Sequence, residues 1–110
     1  MFKLQPKPTF KVEVLIPVPG GDSGKLTFEF KHKGRKDLQA YYEGLSEGAS
    51  SGRTDADALC ELIAGWEGID AEFSEDNLGT LLDNYPGAAA ALFEAYRLGL
   101  TEGRRKNSSK

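Results

Sequence analysis

The sequence predicts an α+β fold, in which an N-terminal β-hairpin packs against three or four short α-helices. Three observations lead to this class. Two segments near the N-terminus alternate apolar and polar residues, four later segments repeat apolar residues with helical spacing, and the 110-residue chain is 39% hydrophobic. A chain of this length and composition is expected to form one globular domain with a modest core.

The two alternating segments are interpreted as the strands of the hairpin. Every second side chain is apolar in FKVEVLIPV, residues 10–18, and KLTFEFKH, residues 25–32, repeats the pattern. Alternation with a period of two is typical of strands that bury one face. The intervening GGDSG is rich in turn residues, so we expect the two strands to pair through a short loop.

Because an isolated hairpin is only marginally stable, its apolar face needs a cover, which four later segments can supply. In each segment the apolar residues have the spacing of one helix face. They are, segment by segment, Leu38, Tyr41, Tyr42 and Leu45; Leu59, Leu62, Ile63 and Trp66; Leu78, Leu81, Leu82 and Tyr85; and Ala89, Leu92, Phe93 and Tyr96. Thr54 or Asp55 is the expected cap of the second helix, and Ser74 that of the third.

The domain is expected to span residues 1–103, with a mobile Gly/Ser-rich loop near residues 46–53. Residues 104–110 contain no apolar side chain and are expected to form a disordered basic tail. No apolar run approaches the roughly 20 residues of a membrane helix, and the N-terminus lacks the apolar stretch of a secretory signal. We therefore expect an intracellular protein without membrane contact.

Acidic residues are concentrated in the centre of the chain. Residues 54–96 carry ten Asp or Glu and no Lys or Arg, whereas the segments on either side are net basic. An asymmetry of this kind favours a basic partner and accelerates the encounter with it.

The residue types that usually carry catalysis or bind metals do not form a recognisable site. Cys60 is the single cysteine and His32 the single histidine, and they fall in different predicted elements. The acidic run at residues 70–76 has the alternation of a calcium loop, but it lacks the glycine and the final bidentate acid that such a loop requires. The sequence therefore predicts a protein that is not an enzyme and that uses no cofactor and no metal.

Two short basic runs raise the alternative of a small nucleic-acid-binding regulator. They are KHKGRK, residues 31–36, and RRK, residues 104–106. No aromatic residue interleaves with either run, and the net charge of −3 repels phosphate. Nucleic-acid binding is therefore disfavoured.

An aromatic and acidic stretch in the second half of the chain is the candidate binding surface. Trp66 and Tyr85 each close an apolar helical stripe, so each is interpreted first as a core side chain, with an interface anchor as the alternative. We hypothesise that this stretch contacts a partner, and the residues assigned to the contact are Trp66, Glu67, Asp70, Glu72, Glu75, Asp76 and Tyr85.

The order of the parts is itself distinctive. The hairpin FKVEVLIPVPGG…LTFEFKHKGRKDL is followed by GWEGID, FSEDNL, LLDNYP and an Ala-rich helix ending in Tyr96. In this order, over roughly residues 9–98, the chain resembles the tail assembly chaperones of long-tailed bacteriophages. The matching pieces are packing and capping residues, and none of them is a catalytic motif.

The functional expectations that follow come from the resemblance alone. It implies that the chain binds the tape measure protein, a long helical protein that sets tail length, keeps it soluble and helps the tail tube polymerise. It also implies a late protein of the host cell cytoplasm that is absent from the mature virion. The tail tube protein and a frameshifted longer form of the chain are further candidate partners. Independently of the resemblance, a homo-oligomer is also expected as a candidate, because hairpin edges and apolar helix stripes can pair between copies.

The principal alternative is a small structural tail protein, such as a tube or terminator subunit. Proteins of that kind generally need more β-structure than one hairpin, so the chaperone is preferred. A small domain can also mask the apolar stripe of a helical client by helix-in-groove contacts, which require no bond chemistry.

Overall fold

A computed structural model describes residues 2–50 and 54–102 of the chain. Within these ranges it confirms the α+β class, with three strands and four helices. The elements are β1 (Thr9–Ile16), β2 (Gly24–Lys31), α1 (Arg35–Ser50), α2 (Asp55–Cys60), β3 (Ile63–Glu67), α3 (Glu75–Asn84) and α4 (Ala88–Glu102). The strands form one antiparallel sheet in the order β1-β2-β3. None of the helices in the described ranges is both long and apolar enough to cross a membrane.

The predicted hairpin is confirmed, and its two strands pair over their full length. Phe10 lies opposite Phe30, so the apolar side chains of both strands share one face. In the connecting loop, the Gly21 amide donates a hydrogen bond to the Val18 carbonyl at 3.0 Å. Gly20 has a φ of +75°, which glycine adopts far more readily than any residue with a side chain.

The prediction for residues 63–66 is wrong, because they form a third strand and not the end of the second helix. α2 ends at Cys60, and Ile63 and Trp66 both lie opposite core phenylalanines of β2. The register shifts between these two pairs, which leaves Ala64 as the additional residue of a β-bulge. The bulge brings Ile63 and Trp66 to one face of the sheet, although a regular strand would place residues three apart on opposite faces. Their spacing therefore imitates that of a helix face.

The core lies between one face of the sheet and the helices. Its large side chains are at most 6% exposed, and they are Val14, Ile16, Phe28, Phe30, Tyr41, Leu59, Leu62, Ile63, Leu78, Leu92 and Tyr96. The other face of the sheet is polar. On that face the Thr9 hydroxyl donates to the Glu29 carboxylate at 2.6 Å. The described part of the chain thus consists of two layers with one sheet face open to solvent.

α4 covers β1 at close range. An added Cβ at Gly99 would lie 2.9 Å from Val12 Cγ2 and 3.0 Å from Phe10 Cε2. Tyr96 is 1% exposed, and its hydroxyl donates to the Lys31 carbonyl at 2.9 Å. Burial raises the pKa of Tyr96 to about 12, so this hydroxyl keeps its proton at neutral pH.

α1 differs from the prediction at its C-terminal end. The helix continues to Ser50, so residues 46–50 are helical, although the sequence assigned them to a mobile loop. Residues 51–53 of that loop and the predicted basic tail, residues 104–110, lie outside the described residues.

Tyr41 attaches α1 to the rest of the fold. Its ring is 6% exposed, and its hydroxyl donates to the Ala58 carbonyl of α2 at 2.7 Å. The ammonium group of Lys33 lies 5.5 Å from the centre of the same ring, within the range of a cation–π contact. One cation of the basic run at residues 31–36 is therefore engaged within the molecule.

Candidate functional site

A groove opens at the end of the sheet where β1 and β2 are joined. Its walls are this end of the sheet, the loop between β3 and α3, and the C-terminal half of α3. Its volume is about 450 Å³, within the range of protein sites that hold a small ligand or a few side chains. The large apolar side chains in its lining are Ile16, Val18, Leu26, Trp66, Ile69 and Leu81. We refer to it as the apolar groove.

Trp66 packs at the edge of the core and also lines the apolar groove. Its ring packs edge-on against Phe28 at 6.1 Å and against Phe73 at 5.2 Å between centroids. Its indole N–H donates to the Ala71 carbonyl at 2.8 Å. Because the side chain is only half-buried and also lines the apolar groove, it belongs to the edge of the core and to the groove wall at once.

The loop between β3 and α3 is held in place at both ends. At its start Gly68 has a φ of +94°, and an added Cβ would lie 3.3 Å from Leu26 Cδ2. At its end Ser74 caps α3, as predicted, by accepting a hydrogen bond from the Asn77 amide at 3.1 Å. The Asn77 side chain in turn donates to the Glu72 carbonyl at 2.8 Å. This wall of the apolar groove is therefore fixed before any partner arrives.

Tyr85 forms the opposite wall. It is the C-cap of α3, and its amide donates to the Leu81 carbonyl at 3.0 Å. Pro86 follows and cannot continue the helix hydrogen-bond pattern, so α3 ends at this point. The half-buried Tyr85 side chain faces the apolar groove from the end of the helix.

The structure brings only some of the predicted contact residues together. Trp66, Asp70 and Tyr85 all line the apolar groove. Asp76 lies one helical turn before the groove-lining Thr80, whose hydroxyl donates to the Asp76 carbonyl at 3.1 Å. These residues form, with the groove, a surface of mixed apolar and acidic character.

The remaining predicted residues point elsewhere or lie on the loop. Glu67 lies on the open face of the sheet, where its carboxylate meets Lys11 Nζ at 2.9 Å. This hydrogen bond and the negative charge of Glu67 raise the pKa of Lys11. Glu75 faces α2, where a hydrogen bond with Asp57 and the charge of that carboxylate raise the pKa of Glu75. Glu72 is exposed on the loop.

Sequence reasoning missed most of the apolar lining. Val18, Leu26 and Leu81 were assigned to strand or helix faces that pack on the core, and Ile69 was assigned no role. The alternation and the helical spacing predict that such residues face the core. They do not predict which of them lie at its edge. Only the pairing of β3 with β2 puts Ile69 beside the end of the hairpin.

Cys60 and His32 are not drawn into this surface. Cys60 is half-buried at the end of α2. Burial is the main cause that raises the pKa of its thiol, and the nearby carboxylates of Glu75 and Asp57 raise this pKa further. A raised pKa disfavours the reactive thiolate. His32 is exposed, and its backbone amide donates to the Pro8 carbonyl at 2.9 Å.

Comparison with known proteins gives one result for almost the whole chain. No curated protein and no solved structure shows a significant match. The family model described as phage tail assembly chaperone matches residues 1–107, which include both strands of the hairpin, the apolar groove and the acidic centre. The chain therefore belongs to the phage tail assembly chaperone family.

Proposed function

We propose that this chain binds the tape measure protein of its phage and keeps it soluble until tail tube subunits polymerise around it. The family supports the general role of a chaperone in tail assembly. The observation that carries the more specific proposal is the apolar groove, which offers a ready-made contact for a hydrophobic segment of another chain. Masking such segments requires binding and no chemical step.

The apolar contact is assigned to the groove itself. A client helix with an apolar stripe would place its side chains against the six large apolar side chains of the lining. Trp66 and Tyr85 stand on opposite walls and are the expected anchors, because half-buried aromatic side chains in pockets dominate many interfaces. The loop between β3 and α3 is already held in place by its own hydrogen bonds, so less conformational entropy is lost when a client binds.

Selectivity is assigned to charge. Asp70 lines the apolar groove, Glu72 and Asp76 are exposed beside it, and residues 54–96 contain no basic residue. The preferred client segment therefore carries Lys or Arg next to its apolar stripe. Exposed charge pairs of this kind affect the rate and selectivity of binding more than its strength.

The charge contribution is tested by co-purification of the tape measure protein with charge-reversed variants. Asp70→Lys combined with Glu72→Lys should recover less client. Glu13→Lys combined with Glu43→Lys, which changes the net charge equally at exposed sites away from the groove, should recover as much as the unmodified chain. Circular dichroism of each variant controls for folding. Equal recovery by the two double variants would remove the electrostatic part of the proposal.

The proposal also places this chain in the host cytoplasm as a late protein that leaves before the tail is complete. Further partners in this account are the tail tube protein and a frameshifted longer form of the chain. The alternative of a structural tail subunit is separated by mass spectrometry of purified particles. We expect this chain to be absent from the particles. If the particles contain it in a stoichiometric amount, the structural alternative is correct.

A further inference from the structure

The segment before β1 exposes two large hydrophobic side chains. Phe2 is 95% exposed and Leu4 is 90% exposed, and neither belongs to the core cluster. Lys3 and Lys7 make the same segment basic. We call residues 2–8 the arm. Side chains of this size are usually covered when the protein is in its working state.

The composition of the arm favours an extended conformation. Pro6 and Pro8 fix the backbone φ near −65° and disfavour a helix. The arm has neither helix nor strand in the structure. Fully extended at about 3.1 Å per residue, as in a polyproline conformation, its seven residues would span roughly 20 Å. A chain whose backbone is already restricted by proline loses less conformational entropy when it binds.

We infer that the arm of one copy of this chain occupies the apolar groove of a second copy. Phe2 and Leu4 supply exposed apolar side chains, and the groove supplies an apolar lining that includes Trp66 as their contact. The lysines of the arm complement Asp70, the charged residue of the lining, within a region that carries no basic residue. Apolarity and charge therefore agree.

In this structure the arm does not occupy the groove of its own copy, because Phe2 and Leu4 are almost fully exposed. It leaves the sheet at Pro8, whose carbonyl accepts a hydrogen bond from the His32 amide, whereas Ile16, the β1 residue of the groove lining, lies at the opposite end of the strand. β1 itself covers about 23 Å at roughly 3.3 Å per residue. From Thr9 back to Leu4 the extended arm covers only about 16 Å. A chain that reversed direction before β1 would therefore leave Leu4 short of Ile16.

The arm and the groove are different surfaces of the chain. A contact between the arm of one copy and the groove of the next is therefore heterologous. Such a contact repeats from copy to copy and produces open chains or closed rings. In these assemblies the apolar groove is protected until a client displaces the arm. This competition with the client rests on the proposed function, whereas the contact between arm and groove does not.

Trp66 is the only tryptophan of the chain, so its fluorescence reports on the groove. The receptor is the variant Phe2→Ser with Leu4→Ser, whose own arm no longer competes. Titration with the peptide FKLQPKP should shift the Trp66 emission in a saturable way, and the peptide with both apolar residues replaced by serine should not. Asp70→Lys in the receptor should weaken binding about tenfold, because an attractive charge becomes repulsive. An unchanged emission, or an equal response to the serine peptide, overturns the inference.

Sedimentation velocity across a concentration series tests the same contact in the full chain. The unmodified protein should associate as its concentration rises, and the variant with serine at positions 2 and 4 should remain monomeric. The matched control is Leu15→Ser, which removes a leucine that is 60% exposed on the open face of the sheet and should leave association unchanged. Equal association of the arm variant and the unmodified protein would refute the contact.

Client binding separates the two proposals. An arm variant that is monomeric and still recovers the tape measure protein supports both. Peptide binding to the groove without any recovery of the client by the unmodified chain rejects the proposed function and leaves the contact between arm and groove intact.

Discussion

The hydroxyl of Tyr41 connects α1 to α2 by donating to the buried Ala58 carbonyl. Tyr41→Phe should lower the free energy of unfolding by about 1 kcal/mol, because the carbonyl loses a donor that water cannot easily replace. Urea denaturation measures the change. Tyr42→Phe is the matched control, since the neighbouring ring is 43% exposed, and its effect should stay below about 0.5 kcal/mol. Equal losses in the two variants would contradict this role of Tyr41.

The carboxyl groups of Glu75 and Asp57 repel each other when both are charged. A hydrogen bond with Asp57 and, after it, the charge of that carboxylate raise the pKa of Glu75, so the folded state holds its proton more tightly than the unfolded chain does. The stabilising contribution of the proton is complete at acidic pH and is lost as the pH rises through the raised pKa of Glu75.

Glu75→Gln should therefore increase stability at neutral pH and flatten its dependence on pH from about 4 upward. Thermal unfolding at a series of pH values measures both effects. Glu72→Gln removes an exposed charge from the neighbouring loop and should leave the shape of the profile unchanged. A Glu75→Gln profile that parallels the unmodified one would show that the two carboxyl groups do not interact.

At the scale of elements, the absence of a side chain at Gly99 determines how closely α4 approaches β1. A methyl group there would meet Val12 and Phe10 at 3.0 Å or less, whereas one at Gly79 of α3 would meet nothing within 4 Å. Gly99→Ala should lower stability by about 1 kcal/mol or more, because the overpacking cost outweighs the gain in helix propensity. Gly79→Ala should raise stability by roughly 0.5–1 kcal/mol. Chemical denaturation of the pair checks the opposite signs.

The elements that could be predicted are those set by local signals. The hairpin follows from the alternation on both sides of a glycine-rich turn, and Ser74 caps α3 through its own side chain. The third strand could not be predicted in the same way, because its pairing depends on residues far away in sequence and its bulge gives Ile63 and Trp66 a helical spacing. α1 continues as a helix beyond its glycines. Each glycine lowers the stability of the helix by only about 1 kcal/mol, which the neighbouring residues can offset.

At the scale of the whole molecule, the candidate site was only partly predictable. Trp66, Asp70 and Tyr85 were assigned to it from the sequence, and they do line the apolar groove. Glu67 was assigned to the same surface because it is near them in sequence, but the alternation of β3 directs it to the open sheet face. The density of acidic residues is a property of composition, whereas the groove is a product of strand pairing.

Salt dependence follows from the acidic centre of the chain. Raising the salt concentration should weaken binding of the tape measure protein several-fold without abolishing it, since the charges are exposed and screened beyond about 10 Å at 0.1 M salt. Isothermal titration calorimetry at low and high salt measures the change. If the affinity does not vary with salt, the contact depends on the apolar groove alone. If binding is lost completely at high salt, the contact depends on charge alone.

The account depends most on the claim that this chain keeps the tape measure protein in solution by covering its apolar segments. The direct measurement is the soluble fraction of the tape measure protein when it is expressed alone and together with this chain. We predict that co-expression moves the client from the pellet to the supernatant and that the two proteins elute together in size-exclusion chromatography. A client that stays in the pellet beside a folded, soluble partner would contradict the account.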